Sequence, residues 1–280
     1  MTLAKRKRRW WQFNLKTLLA GTMVVSVVFA CLGVNLRRAR DQMEAVTAIE
    51  KLGGMVNYDY QWDESAGYYD ASRQPRGPSW LRKWLGGDFF DSVVAVNMVS
   101  GGIGSASGIL SLGKATDADL VHVERLRKLK WLSLQRMKVT DDGLMHLNGL
   151  TNLESLLLGN TQVGDSGLVH LKKLNNLKQL DLRGTQLTNV GLMHLKGLEN
   201  LEELFLDNTK VSDAGLPHLI GLSKLRWLSL CDTPVSDAGL VHVKELTNLE
   251  RLFVTDTRVT NRGVNELRRA LPNCQIDYPK

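Results

Sequence analysis

An α/β solenoid, with parallel strands on a concave face and short helices on a convex one, set behind an N-terminal transmembrane helix, is the fold class that this 280-residue sequence predicts. Three observations predict it. All six histidines, His122, His146, His170, His194, His218 and His242, fall 24 residues apart, the mark of a chain built from stacked units. Within each period an LxL alternation gives a short strand with its leucines inward, and GLxHLxxL places apolar residues at i, i+3 and i+6 of a short helix. Ahead of the periods, Thr17 to Leu36 runs 20 residues without a charge.

That run comes first. At about 1.5 Å per residue, a helix of its length crosses the roughly 30 Å hydrocarbon core. "KRKRRWW" precedes it, with five positive charges and two tryptophans, and Arg37, Arg38 and Arg40 follow. The stronger positive end stays in the cytoplasm, so the repeat domain is expected outside it in a single-pass protein. Cleavage near Ala30 or Cys31, giving a secreted or lipid-anchored form, is the alternative. Residues 1–40 hold nine basic residues and no acid, leaving 27 basic against 29 acidic residues elsewhere, a net of −2. A body so nearly neutral argues against nucleic acid as a partner.

Residues 37–116 are expected to form a juxtamembrane helix and an N-terminal cap. Leu36 to Gly54 holds helix formers, an apolar stripe of Met43, Val46 and Ile49, and a Gly-Gly stop. Residues 58–90 then carry nine of the chain's 18 aromatics, Tyr58, Tyr60, Trp62, Tyr68, Tyr69, Trp80, Trp84, Phe89 and Phe90. An open solenoid end needs a cover, so these aromatics and the strand Val93 to Met98 are expected to supply it. The domain plan is thus 1–16 basic cytoplasmic tail, 17–36 transmembrane helix or signal anchor, 37–116 cap, and 117–280 repeat domain with its own C-terminal cap.

Six gapless blocks run from Asp117 to Thr260, and a partial seventh starts at Asn261. Leu153, Leu156, Leu158, Thr161 and Val163 fit L-x-x-L-x-L-x-x-N/C-x-L, and on this pattern the region resembles the leucine-rich repeat. Threonine stands where that family usually has asparagine, at Thr161, Thr185, Thr209, Thr233 and Thr257, with Met137 the exception. The resemblance alone therefore leaves the completion of the usual side-chain ladder open. As a whole the layout is similar to bacterial membrane-anchored proteins with short leucine-rich repeats. Ser or Thr followed by Asp, as at Ser236-Asp237, reads as a helix start with an acid on the positive end of the dipole. Gly149, Gly197 and Gly221 suit helix stops.

Equal phase puts the histidines on successive helices about 8 to 10 Å apart, too far for a shared metal. Each imidazole is instead expected to bridge a loop carbonyl beside its neighbouring repeat. Gly108 to Ala115, "GILSLGKA", misses the phosphate-loop pattern because Ala115 stands where a hydroxyl is needed. Gly101 to Gly108, "GGIGSASG", fits neither a dinucleotide loop nor a nucleophile elbow. Cys231 and Cys274, two repeats apart, are beyond disulfide reach, and Cys31 lies in the apolar run. No catalytic constellation, metal site or small-molecule cofactor is expected, and the helix-start acids are explained by capping.

Recognition is expected on the strands. Side chains flanking the inward leucines face the concave sheet. Phe205, Trp227 and Phe253, on adjacent strands, are expected to make one aromatic patch rimmed by Asp181, Arg183, Glu203, Asp207 and Arg251, with Trp131 and Leu157 further along. The chain reads as a non-enzymatic, membrane-anchored module for an unknown protein or peptide ligand. A structural envelope protein without a discrete ligand is the alternative, and an enzyme with a site in residues 55–115 the least favoured.

Overall fold

The computed structural model describes residues 15–63, 68–70, 72–98 and 114–278, with the backbone alone described at 15–18, 63, 68 and 69. The basic tail, "GGIGSASG" and all of "GILSLGKA" except Lys114 and Ala115 lie outside these residues.

One helix, α1 (Leu15–Lys51), runs unbroken for 37 residues, so the apolar run and the expected juxtamembrane helix form a continuous rod. By length and composition it is able to cross a membrane. Its upper part turns the face of Gln42, Ala45, Val46 and Ile49 inward, the i, i+3, i+4, i+7 set of an amphipathic helix. Met43 falls off that face and is 52% exposed, against the stripe expected from sequence. The helix stops at Gly53, whose φ of 83° lets the Gly54 amide reach back to the Ile49 carbonyl at 3.0 Å.

Beyond the stop come β1 (Met55–Tyr58), the small antiparallel pair β2 (Trp62–Asp63) and β3 (Tyr68–Tyr69), α2 (Ser79–Leu85) and β4 (Val93–Asn97). β1 lies antiparallel to β4, and β4 then opens a parallel run through β5 (Trp131–Ser133), β6 (Ser155–Leu157), β7 (Gln179–Asp181), β8 (Glu203–Phe205), β9 (Trp227–Ser229), β10 (Arg251–Phe253) and β11 (Gln275–Asp277). Val96 of β4 aligns with Leu132 of β5, so β4 supplies the strand of one further unit ahead of the first full repeat. The interior of the cap is aliphatic, built from Ala45, Val46, Ile49, Val93, Val96 and Met98. Tyr58 of the expected aromatics packs against it, whereas Trp80 and Trp84 lie outside it, 69% and 79% exposed.

Through the repeats the register never slips: Leu132, Leu156, Leu180, Leu204, Leu228, Leu252 and Ile276 stand in one line. Leu156, Leu180 and Leu204 have no solvent exposure, each shielded by the next unit rather than by its own. The convex segments mix 3-10 turns, as at Gly143–Leu147 and Gly167–Leu171, with α-helical ones, as at Asp237–Val243 and Asn261–Ala270. Leucines three apart suit the 3-10 stretches. Three residues per turn stacks Leu144, Leu147 and Leu150 on one side, whereas an α-helix would rotate each successive one away by about 60°.

Side-chain ladders tie the units together, and the first corrects the sequence reading of the acids. They bond forward to the next repeat rather than only capping their own helix. Asp213 accepts from the backbone N–H and hydroxyl of Ser236 at 2.7 and 2.6 Å, and Asp117, Asp165 and Asp237 repeat this with Thr140, Thr188 and Thr260. Asn189 holds the same rung with Ser212. Such a carboxylate needs room. A Cβ on Gly215 would sit 2.6 Å from Oδ1 of Asn189, which is why the residue two places after each rung is glycine. In the first repeat no rung arrives from behind, and Asp119 stands at that position and bonds Thr116 instead.

A second ladder runs through asparagine amides at Asn152, Asn176, Asn200 and Asn248, each donating to a carbonyl one repeat back at 2.7 to 2.9 Å. The threonines that replace the family's asparagine act within one turn: Thr185 Oγ1 donates to the Leu182 carbonyl at 2.7 Å. The missing asparagines are thus supplied elsewhere in the unit. A third column alternates in charge, Lys130, Glu154, Lys178, Glu202, Arg226 and Glu250, with Glu154 between two lysines at 2.9 and 2.8 Å.

The histidines are half-buried between convex segments. Nδ1 of His146 lies 2.9 Å from the Glu124 carboxylate, Nδ1 of His170 lies 3.3 Å from the Asn148 amide, and Nδ1 of His122 is buried without a partner. The partners of His146 and His170 are thus side chains of the preceding repeat, not the loop carbonyls expected from the sequence. Burial, followed by the charge of Lys172, holds the His194 imidazole below its ordinary pKa.

Candidate functional site

Strand pairing sorts the exposed side chains of the sheet into rows about 4.8 Å apart along each row. One row reads Trp131, Ser155, Gln179, Glu203, Trp227, Arg251, and the next reads Ser133, Leu157, Asp181, Phe205, Ser229, Phe253. Gln135, Gly159, Arg183, Asp207 and Cys231 follow two residues further along.

These rows separate the three expected aromatics. Phe205 and Phe253 share a row with Ser229 between them, while Trp227 stands in the other row between Glu203 and Arg251. Among the described residues the ring pairs are Tyr58 with Tyr60 and Phe89 with Phe90, so the sheet aromatics do not stack on one another. Each of two is roofed by a cation instead. The Arg183 guanidinium lies 5.2 Å from the Phe205 ring centre, and that of Arg251 lies 5.4 Å from Trp227. Such a roof is worth about 0.5–1 kcal/mol at an exposed site and holds the arginine flat over the ring.

Asp181 organises the centre. Its carboxylate is 1% exposed and takes a two-pronged bond from Arg183 Nε and Nη2 at 2.9 and 2.7 Å, a third from the Arg183 amide and a fourth from Gln135 Nε2 at 2.8 Å. Hydrogen bonding to Asp181 outweighs partial burial and raises the Arg183 pKa, so the guanidinium stays charged. Asp181 is therefore a buried support and Arg183, half-exposed, the group it presents. Asp207 is likewise engaged, accepting from the Ser229 hydroxyl and the Cys231 amide. Along the other row Ser155 donates to Gln179 and Gln179 to Glu203, at 2.6 and 2.7 Å.

Beside Arg183 opens a pocket of about 350 Å³, lined by Gln135, Arg136, Gly159, Asn160, Asp181 and Arg183. Of these, sequence reasoning named Asp181 and Arg183 and missed the rest. One signal was available. The turns after the strands put a residue at positive φ in every unit, Asn160, Gly184, Asn208, Asp232 and Asp256, and the first unit uses Arg136 at φ 61°. Arginine there costs about 1–2 kcal/mol relative to an ordinary backbone. The turn amides of Arg136 and Asn160 already bond the carbonyls of Gly159 and Arg183.

Burial pushes the Cys231 thiol up, and raises that of Cys274 to about 11, so neither is a thiolate near neutral pH. Among the described residues no group of three or more His, Cys, Asp or Glu is placed to hold a metal ion.

The family model described as leucine-rich repeats, in two copies, matches residues 175–218. No curated protein matches the chain. Among solved structures it is similar to an internalin C2 of Listeria monocytogenes, at 26% identity and TM-score 0.47 over 59% of this chain and 77% of that one. It is also similar to another internalin of that organism, inlF, at 22% identity and TM-score 0.46 over 62% of this chain and 55% of that one. With strands in unbroken parallel register from β4 to β11 and leucines sealed between units, the fold is a leucine-rich-repeat solenoid.

Proposed function

We propose that the chain is a membrane-anchored recognition module whose sheet face binds a protein or peptide outside the cytoplasm. The observation that carries this reading is the pairing of Phe205 and Trp227 with arginines that lie over their rings, next to an open pocket on the same sheet. A peptide laid across the strands would meet apolar rings in the middle and fixed guanidinium donors at Arg183 and Arg251, the combination favoured at binding hot spots. Glu203, Asp207 and Phe253 extend the contact toward the C-terminal end, and Leu157 and Trp131 toward the cap. Because Asp181 and Arg183 neutralise each other, the face offers the outer guanidinium N–H groups beside the carboxylate of Glu203, which favours a peptide that sets polar groups around an apolar side chain.

A photo-crosslinking residue at Trp227, compared with one at Val190 on the convex face, tests this in intact cells. Val190 is 55% exposed, so it is equally open to a partner. Adducts from the Trp227 position alone support the reading. Equal adducts from both positions move the contact off the sheet, and none from either favours a structural envelope protein. The orientation follows from the heavier positive charge ahead of the span than behind it. An impermeant amine-reactive label should reach Lys128 in unbroken cells; labelling only after lysis would place the repeats inside.

A further inference from the structure

The two most exposed tryptophans of the described chain are unused by the sheet face. Trp80 and Trp84 sit on α2, 69% and 79% exposed, and with Lys83 they occupy the i, i+3, i+4 positions of one helix face. Large aromatic side chains left this open on a helix are otherwise costly to solubility, and the cap had ample aliphatic interior against which to bury them.

Where α2 sits follows from what fastens it. Arg82 on its opposite side bonds the Asp91 carboxylate, which is 1% exposed, at 2.5 Å and the Arg76 carbonyl at 2.7 Å. Asp88 and the Asp91 carbonyl are in turn held by Gln42 of α1 at 2.8 and 2.9 Å. Gln42 is six residues beyond Leu36, the end of the uncharged run. At 1.5 Å per residue that is roughly 9 Å along the helix, and less in depth for a tilted helix, at the outer edge of a headgroup layer about 5–7 Å thick on each side. Cover on α1 begins lower still, at Ala39, which is 7% exposed, while Arg37, Arg38 and Arg40 are exposed at the same level. The folded body therefore begins at the mouth of the span. No linker separates them.

We propose that the face of α2 carrying Trp80, Lys83 and Trp84 lies in the lipid headgroup layer and sets the solenoid at a fixed angle to the membrane. Indoles suit that layer because the ring is apolar and its N–H still finds water, and Lys83 with Arg37, Arg38 and Arg40 meets anionic headgroups. Two attachments, the span and this face, fix an orientation that one alone leaves free to swivel. The proposal rests on reading α1 as a membrane span.

The full chain, reconstituted in vesicles of phosphatidylcholine and phosphatidylglycerol, separates the possibilities. Flotation with the vesicles tests the span. The emission of W80F/W84F is then subtracted from that of the unchanged chain, with and without bromine on the upper acyl chain, so that the other five tryptophans cancel. The expected difference spectrum is blue-shifted and loses roughly half its intensity to the brominated lipid, as for indoles at headgroup depth. Flotation with an unquenched, water-exposed difference spectrum overturns this proposal and leaves the span standing. A quenched, blue-shifted difference spectrum, with the melting temperature of W80F/W84F unchanged, supports it. A chain that fails to float overturns both.

Discussion

The cap and the repeats solve the same problem, closing an apolar core, with opposite economies. In the repeats each device recurs: the inward leucine, the forward-bonding acid, the asparagine amide and the alternating charge fall on 24-residue columns, with Asn189 and Lys224 the substitutes in the acid and asparagine columns. In the cap each device occurs once. Gln42 ties α1 to Asp88, Asp91 and Val93, and Asp91 is the carboxylate that holds both Arg82 and the Arg76 amide. Repetition lets a solenoid share damage among neighbours, whereas a cap of single fastenings has no second copy to fall back on.

The largest effect should come from the core. Leu204→Ala in the middle of the line of leucines removes a fully buried side chain and should cost about 3–5 kcal/mol. Ile49→Ala, equally buried under the cap, should cost a similar amount but spread differently. Hydrogen exchange should rise on both sides of β8 in the first variant, and stay near α1, β1 and β4 in the second. If Ile49→Ala deprotects β10 and β11 as strongly as β4, the cap and repeats are one cooperative unit and the contrast fails.

Next is the cap's buried ion pair. Asp91→Ala strands the Arg82 guanidinium, itself only 21% exposed, and leaves the Arg76 amide without its acceptor. A loss of about 3 kcal/mol is expected, because removing one member of a buried pair leaves the other's charge uncompensated. Urea unfolding reads it. A loss well under 1 kcal/mol would mean that water reaches Arg82 freely.

A rung of the acidic ladder should matter less. Asp237→Ala removes the acceptor for the Thr260 amide and hydroxyl and should cost about 1–2 kcal/mol. Asp237→Asn should cost less than half of that, since Asn189 already serves as a natural rung by donating from its amide to Ser212. The two variants also differ in pH dependence. Burial works to raise the Asp237 carboxyl, but the Thr260 bonds outweigh it and the folded pKa is lowered. A lowered folded pKa contributes stability above the unfolded value of about 3.9 that is lost as pH falls through the folded one. The melting gap between the unchanged chain and Asp237→Asn should therefore be present near neutrality and close in acid. A gap that widens in acid would reverse the sign.

Much of this was legible in the sequence, and the part that was not has a physical cause. A period of leucines at fixed phase leaves one way to hide them, so strands, register and apolar convex turns follow from counting. Partners of polar side chains do not follow. Asp213 looks like a cap from its place beside Ser212, and only the stacking of units brings Ser236 within 2.7 Å of it. His146, expected to bridge a loop carbonyl beside the neighbouring repeat, faces Glu124 instead. On the sheet, period alone placed Phe205, Trp227 and Phe253 on neighbouring strands. Which two share a row depends on whether each flanks its leucine before or after, and the arginine roofs depend on rotamers that no spacing encodes. Arg136 was visible as the odd member of a Gly, Asn and Asp column, had that column been read for backbone conformation.

The smallest effect belongs to the charge column, which tests whether repetition amplifies weak contacts. Burial acts to raise the Glu154 carboxyl, but bonds from Lys178 and Lys130 prevail and its pKa is lowered. Both lysines are more than half exposed, so each pair should contribute under about 1 kcal/mol and be screened by salt. Glu154→Ala should lower the melting temperature slightly at low ionic strength and almost not at all near 1 M salt. E154K should do more, because it sets three like charges in succession and turns attraction across two interfaces into repulsion. If E154K is no worse than Glu154→Ala at low salt, the alternation contributes nothing to the stacking of units, and the ladders of Asp237 and Asn200 are left to hold register alone.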